Sequence, residues 1–536
     1  MRFMALIKRI RSRILRELNL ELNSWRVKKI RRSLNNHNED SCQSVIFFNA
    51  STRLSGLSQN AGFSLIASLA LEAEGVRIVQ LICQQGMSHC VLGTDNRHVQ
   101  SPPPCAECLR TSHRLFEKQS IQPIVFRRDL DMEKHIAPMM LNDLLWLEVG
   151  GFPVGKLVLP SLRWALRRHH LHDDEDTRYL AREYILSALN LKQQFERILD
   201  KTNPLAVVVF NGMFFPEATL RWVAQKRSVP VYSHEVGMLP LSAFFTDQEA
   251  TAYPVQVDDS FQLSEKQDQL LDEFLYKRTQ GKFVTAGVQF WPEIRGLDEQ
   301  FWKKAAQFKS MIPVFTNVVF DTSQSHANVL FDHMFQWLDE VLKAIKKHPE
   351  ILFVIRAHPD ELRPGKESHE TVAQWVHTNQ VDKLLNVIFI PPDKYVSSYE
   401  LIQHAKFVMV YNSTIGLEAS ILGKPVLCAG RARYTTISTV FFPPSKKEYI
   451  QQLEQFLEAE AVYNPEKFRI NARRVLYVQL FRASLPFDSF LEEDGVWPGY
   501  VRLKNFPMST LLPENSSTIK VIREGILYSE PFLREV

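Results

Sequence analysis

The sequence predicts an α/β protein of two Rossmann-like domains facing one cleft, preceded by a basic amphipathic helix. Three observations predict it. From Ser44 onward, short apolar runs of β type alternate with segments whose apolar residues recur at helical spacing. Two of the later runs end in polar turns, Arg356-Ala357-His358-Pro359-Asp360 and Asn412-Ser413-Thr414, and ligands of an open parallel sheet bind at the carboxyl ends of its strands. Residues 1–34 carry eleven Arg or Lys and two Glu, a net +9 that leaves the rest of this +4 chain at −5.

At 536 residues, 45% hydrophobic and 23% charged, the chain is ordinary globular material with room for two or three domains. No stretch approaches the roughly 18 to 20 consecutive apolar residues of a membrane span, and the N-terminus lacks a secretory apolar region. The expected location is the cytoplasm, so the sequons at Asn412 and Asn515 read as accidental.

Taken in order, Phe3, Leu6, Ile7, Ile10, Ile14 and Leu18 fall at helical spacing, with Lys8, Arg9, Arg11, Arg13 and Arg16 on the other faces. Trp25 and the cluster Arg26, Lys28, Lys29, Arg31 and Arg32 follow. This suits an anionic membrane surface; an intramolecular packing helix or a solvated basic arm are the alternatives. Nucleic acid is not an expected partner, because the body has no basic excess. Residues 1–43 form the helix and a polar linker.

A βαβ opening follows, with a strand at Val45 to Asn49, a helix at Phe63 to Leu71 and a strand at Val76 to Cys83, but without a GxGxxG fingerprint. Cys83, Cys90, Cys105 and Cys108 then fall in the spacing C-x6-C-x14-C-x2-C. In a cytosolic chain this reads as a tetrahedral thiolate site, structural zinc first and an iron–sulfur cluster second, with free thiols as the alternative. His89 and His113 are reserve ligands. Residues 112–201 read as mostly helical, and His169, His170 and His172, set among Arg167, Arg168, Asp173, Asp174 and Glu175, read as a solvated helix end.

Sheet pattern returns at Leu205 to Phe210 and Val229 to Ser233, the latter ending in His234-Glu235-Val236-Gly237. A carboxylate there would face the cleft from the first domain, where a base must sit; His234, Glu217 and Asp247 are reserves. The interdomain connection is expected over 281–296. The second domain opens with Ile312 to Phe320 and a polar loop in which Asn317, Thr316 and Thr322 are cleft candidates. After the His-Pro turn, the run Phe407 to Val410 stops at Asn412-Ser413-Thr414 and resumes as the helical Ile415-Gly416-Leu417-Glu418-Ala419. Small hydroxyl residues at a helix start cap free N–H groups, and those groups with the helix dipole attract phosphate. An ordinary βα turn is the alternative. Arg431 and Arg433 after the last strand could neutralise a second phosphate or a sugar carboxylate. The expected divisions are 44–290 for a first domain with the Cys cluster, 291–465 for a second domain with the two polar turns, and 466–536 for a return helix and tail.

The His-Pro turn with the Ser-Thr turn resembles the paired motifs of bacterial sialyltransferases. The segment of roughly 310–430 resembles capsular-polysaccharide glycosyltransferases, including Kdo transferases, all of the GT-B type with two Rossmann domains. CDP-glycerol transferases carry a similar pair. The resemblance implies a glycosyltransferase, with a CMP-sugar favoured as donor and a growing surface polysaccharide or glycolipid as acceptor. It would work on the inner face of the plasma membrane. It implies Glu235 as general base, one acid where the sialyltransferases have two, and His358 as donor to the leaving phosphate. Ser413, Thr414, Asn317 and Arg356 would line the phosphate site, and Glu418 resembles the acid that grips the nucleotide ribose. Inversion is implied by the single base, and no catalytic metal is implied because no DxD pair stands at a strand end. A UDP-sugar 2-epimerase of the same fold and a non-catalytic membrane-peripheral assembly protein are the other readings.

Overall fold

The computed structural model describes residues 2–34, 44–52, 55–116, 120–279 and 296–536. The linker at 35–43 with Cys42, and the interdomain connection expected over 281–296 as far as residue 295, lie outside the described residues. So do the side chains of Phe3, Leu6 and Lys8.

The first domain is built on β1 (Ser44–Phe48), β2 (Arg77–Cys83), β3 (Ser120–Ile124), β4 (Ala206–Phe210), β5 (Val231–Val236) and β6 (Ser242–Thr246). The second has β7 (Ser310–Phe315), β8 (Ile351–Arg356), β9 (Val387–Ile390), β10 (Val408–Val410) and β11 (Val426–Cys428). A last strand, β12 (Leu485–Pro486), returns to the first sheet, whose order is β12-β6-β5-β4-β1-β2-β3. That sheet is parallel from β3 to β5, and β6 and β12 pair antiparallel. The second sheet, ordered β11-β10-β7-β8-β9, is parallel throughout. The expected pair of Rossmann-like parallel sheets is therefore present.

Both sheets are buried on both faces, which is why their strands read as continuous apolar runs rather than as alternations. Val45 and Phe47 enter one core and Ile46 and Phe48 the other. In the second domain Ile312 and Val314 face one layer and Met311 and Phe315 the opposite one.

The helices that bear on function are α1 (Arg2–Leu34), α2 (Gln59–Ala73), α3 (Cys105–Phe116), α4 (Glu265–Thr279), α5 (Ile415–Ile421), α6 (Glu466–Tyr477) and α7 (Ser517–Tyr528). At 33 residues, α1 is about 50 Å long. One face packs inward through Leu20, Val27, Ile30 and Leu34. Side-chain bonds tie it down: Asn19 Nδ2 donates to the Asp494 carbonyl at 2.9 Å, Leu503 N–H to Asn23 Oδ1 at 2.8 Å, and Arg31 Nη1 to the Leu115 carbonyl at 3.0 Å. The opposite face keeps Ile7, Ile10, Ile14, Leu18 and Trp25 50–58% exposed. The packing-helix reading thus holds for one face of α1, and the other face carries an exposed apolar stripe.

Helix α4 lies before the expected division at 290, yet it packs on the second domain, where Leu271 is in the core and Arg473 bonds Asp268 and Asp272. Its apolar positions find their partners there and not on the first sheet. Helix α6 packs on the same core, and the chain then crosses to the first domain, where Leu485, Phe487, Leu491, Ile519 and Ile522 share a core with α2.

Candidate functional site

In the second sheet the chain runs from β7 outward through β8 to β9, then returns to the other side of β7 as β10 and β11. The switch point between β7 and β10 leaves a crevice at their carboxyl ends, as in other doubly wound sheets. The residues after β7, β8 and β10 meet there: Asn317 and Asp321, His358 and Asp360, and Asn412, Ser413 and Thr414 all line one cleft of roughly 1900 Å3 open to solvent. The far wall comes from residues 248–254 of the first domain.

The loops are stitched together. Asn412 N–H donates to Asn317 Oδ1 at 3.3 Å, and Gln324 Nε2 to Asn412 Oδ1 at 3.3 Å. Tyr434 Oη donates to the Ser413 carbonyl at 2.6 Å. Gly416 permits that clamp, since a Cβ there would stand 2.5 Å from the Tyr434 hydroxyl oxygen. The expected hydroxyl cap does not form. Thr414 begins α5 in helical conformation with no side-chain cap bond, because its backbone has already entered the helix (φ −61°, ψ −20°) and a capping residue needs extended geometry.

His358 starts a short 3₁₀ turn, where its Nδ1 accepts the Asp360 N–H at 3.1 Å. With Nδ1 accepting, the proton of the neutral ring is assigned to Nε2. Burial is the main cause that holds the His358 pKa below the ordinary histidine value, so the ring is a neutral N–H donor at physiological pH.

Glu235 stands at the carboxyl end of β5, half-buried, and is not among the residues that line the cleft. Its Oε1 accepts Asn60 Nδ2 at 2.8 Å and Val236 N–H at 2.9 Å, and Oε2 accepts Asn211 Nδ2 at 3.2 Å. Burial raises its pKa from the ordinary carboxylate value, those three bonds oppose the shift, and the charge of Asp321, across the cleft, adds to it. The reserves point elsewhere. Glu217 is fully buried on the Ser51 N–H and hydroxyl, with burial pushing it up to about 7. His234 is buried against Asn49 and held down to about 3 by burial.

Two expected phosphate or ribose residues are used inside the fold. Glu418 is buried, its Oε1 accepting Arg278 Nε at 2.7 Å and its Oε2 the Tyr399 hydroxyl. The Arg356 side chain is buried with Nη1 donating to the Val396 carbonyl at 2.6 Å. Neither lines the cleft.

The role of the 248–254 loop is not legible in the sequence. Because β6 runs antiparallel, its carboxyl end points away from the cleft, and nothing local in the sequence shows that the chain then doubles back. Ala250 N–H donates to the Asn211 carbonyl at 3.2 Å and Tyr253 Oη to the Val236 carbonyl at 2.7 Å. Tyr253 adopts φ +47°, its ring lies 3.9 Å below the Arg433 guanidinium, and Thr251 Oγ1 meets His326 Nε2 at 3.0 Å. Arg431 and Arg433 both line the cleft.

Of the three histidines expected at a solvated helix end, His170 and His172 are exposed and His169 is buried. Ligand nitrogens of His169, His170 and His333 lie within 4.8 Å of one another across the two domains. Their lone pairs are used. His333 Nδ1 accepts Gln336 N–H at 3.2 Å, His170 Nδ1 meets Glu370 Oε1 at 2.5 Å, His170 and His333 join through Nε2 at 3.2 Å, and Arg163 Nη2 faces His169 Nε2 at 3.3 Å. A guanidinium beside the third nitrogen makes this an interdomain hydrogen-bond chain rather than a cation site. His89, a reserve ligand for the cysteines, is buried 3.7 Å from Glu183 and does not join them.

With this geometry in place, sequence comparison bears on the second domain. Residues 284–438 match the capsule polysaccharide biosynthesis family. The match covers β7 to β11 and every second-domain loop at the switch point. No curated protein sequence matches the chain. Among solved structures, the chain is similar to Thermosulfurimonas dismutans KpsC, beta Kdo 2,4 transferase, at 12% identity over 51% of this chain and 79% of that one, with a TM-score of 0.34. The beta Kdo 2,7 transferase of the same KpsC matches at 18% identity over 50% and 80%, TM-score 0.29. The Neisseria meningitidis UDP-GlcNAc 2-epimerase matches at 14% identity over 81% and 98%, TM-score 0.24.

Proposed function

We propose that this chain is a metal-independent, inverting glycosyltransferase that moves a sugar from a nucleotide-activated donor, a CMP-sugar, to a polysaccharide or lipid-linked acceptor. The observation that carries it is the convergence of a neutral His358 N–H donor with Ser413, Thr414 and Asn317 at one switch point. Glycosyl transfer needs donors for a leaving phosphate and a base for the incoming hydroxyl. The acceptor oxygen attacks the anomeric carbon as the bond from that carbon to the phosphate oxygen breaks. The phosphate leaves with the electron pair, stabilised by His358 Nε2–H and the two hydroxyls. Glu235 takes the acceptor proton.

The reading is tested by melting the protein with CMP, CDP, UDP and GDP in turn, since a ligand that binds only the folded state raises the transition by mass action. Selective stabilisation by CMP is expected. Stabilisation by UDP alone, with turnover of UDP-GlcNAc, would favour the epimerase reading, and binding without donor hydrolysis or transfer would favour the assembly-protein reading.

The membrane contact of this reading is α1. Its outward stripe of Ile7, Ile10, Ile14, Leu18 and Trp25 is flanked by Arg11, Lys28, Lys29 and Arg32. Both of its acids are engaged, Glu17 by Arg110 at 2.7 Å and Glu21 by Arg114 at 2.5 Å. Among the described residues no helix is long and apolar enough to cross a membrane, so α1 would lie in the plane of an anionic surface. Full-length protein is expected to sediment with vesicles containing phosphatidylglycerol and to stay in solution with phosphatidylcholine alone. A double Ile10→Asp and Leu18→Asp variant is expected to lose sedimentation while keeping its melting temperature. Equal binding of both vesicle types, or unchanged binding by the variant, would remove the membrane assignment.

A further inference from the structure

We infer that Cys83, Cys90, Cys105 and Cys108 form a tetrathiolate zinc centre that fastens the segment between β2 and α3. The four thiols arrive on three separate pieces of chain: the end of β2, the loop beyond it, and the first turn of α3, where positions three apart share a face. All four line one pocket, and none is in a disulfide. The rest of the lining is Asn49, Ala50, Leu81, Gln85, Met87, Pro103, Pro104 and Ser112, which includes no carboxylate, histidine or cation. A pocket whose only strong ligand atoms are sulfurs selects a soft or borderline cation.

The backbone is arranged for thiolates. Gly86 N–H donates to Cys83 Sγ at 3.4 Å, from three residues further along. The Cys-x-x-Gly spacing recurs at Cys90 and Gly93, and hydrogen bonds to sulfur such as the one from Gly86 are a lever by which a protein tunes a thiolate centre. The packing is close enough to require glycine, since a Cβ on Gly93 would stand 2.9 Å from Cys90 Sγ and 2.7 Å from Pro103 Cβ.

The sulfurs line the pocket without the mutual spacing of under 4.8 Å that the three histidines show, so zinc, at about 2.3 Å from each sulfur, would draw the first turn of α3 inward. Four protein ligands leave no open position, which makes the role structural. Binding converts up to four thiols to thiolates and releases their protons to solvent, with no change of oxidation state. The fastened element matters because α3 is the seat of α1, through Arg110 to Glu17, Arg114 to Glu21 and Leu115 to Arg31.

The test is elemental analysis of the full chain purified without chelator, followed by exchange of the bound metal for Co2+. One zinc per chain is expected, with thiolate-to-cobalt charge-transfer bands and the d–d bands of a tetrahedral site. Cys105→Ser with Cys108→Ser is expected to lose the metal, and Cys428→Ser, at a buried thiol in the other domain, to keep it. The cobalt spectrum of the unmutated chain decides the ligand type even if the double variant fails to fold. Four thiols that titrate freely with no bound metal, iron with acid-labile sulfide, or cysteines linked as disulfides in the purified chain would each overturn the proposal.

Discussion

Replacing His358 by alanine is expected to lower the transfer rate about a hundred- to a thousandfold, the usual consequence of removing one preorganised donor from a site where negative charge develops. The side chain has two duties that one substitution confounds. Its Nδ1 caps the turn through Asp360, worth about 1 kcal/mol, while the Nε2–H is the donor proposed for the leaving phosphate. His358→Asn separates them, because the amide oxygen can take over the cap while the ring N–H is lost. Both variants are expected to lose the melting shift with CMP, and only the alanine variant to show a lower melting temperature without ligand. A His358→Asn protein with the normal rate and normal nucleotide shift would remove His358 from the phosphate site.

Glu235→Gln should act on the other half of the reaction. Loss of a general base costs about 10^2 to 10^4 in rate, and nucleotide binding, made in the other domain, should be unchanged. The pH profile is the sharper readout. A base works ionised, and burial places the Glu235 pKa above the ordinary carboxylate value of about 4.3. The rate of the unmutated protein should therefore rise with pH through that raised value, and the residual rate of the glutamine variant should lack this rise. If the limb persists in Glu235→Gln, the base is another group, and Asp321, which lines the cleft, is the first to test.

The parts of the site that could be read from the sequence are those set by local order. Apolar runs that stop at Arg356-Ala357-His358-Pro359-Asp360 and at Asn412-Ser413-Thr414 place those turns at strand ends, and parallel topology brings strand ends together. What could not be read depends on partners distant in the chain. Glu418 sits one turn into a helix at a sheet edge, but whether it faces a ligand or a cation rests on Arg278, 140 residues earlier. Arg356 is two residues from His358, yet as the last residue of a buried strand its side chain runs to the Val396 carbonyl. The loop 248–254 carries no apolar period or glycine motif, and only the fold-back onto Asn211 and Val236 makes it a cleft wall.

The pairing of β12 with β6 has a consequence for synthesis on the ribosome. Strand β6 ends at Thr246 and β12 begins at Leu485, so about 240 residues must be added before that sheet edge is covered. At about 5–20 residues per second the edge stands open for tens of seconds. The second sheet, drawn from residues 310–428, closes in the meantime. The nascent chain therefore completes its later domain first, and carries an unfinished earlier one whose apolar face waits for Phe487, Leu491 and Ile522. An open strand edge beside uncovered apolar surface is what recruits chaperones and seeds aggregation. The yield of folded protein in a cell should thus depend on residues 485–536, which cover that edge and that face.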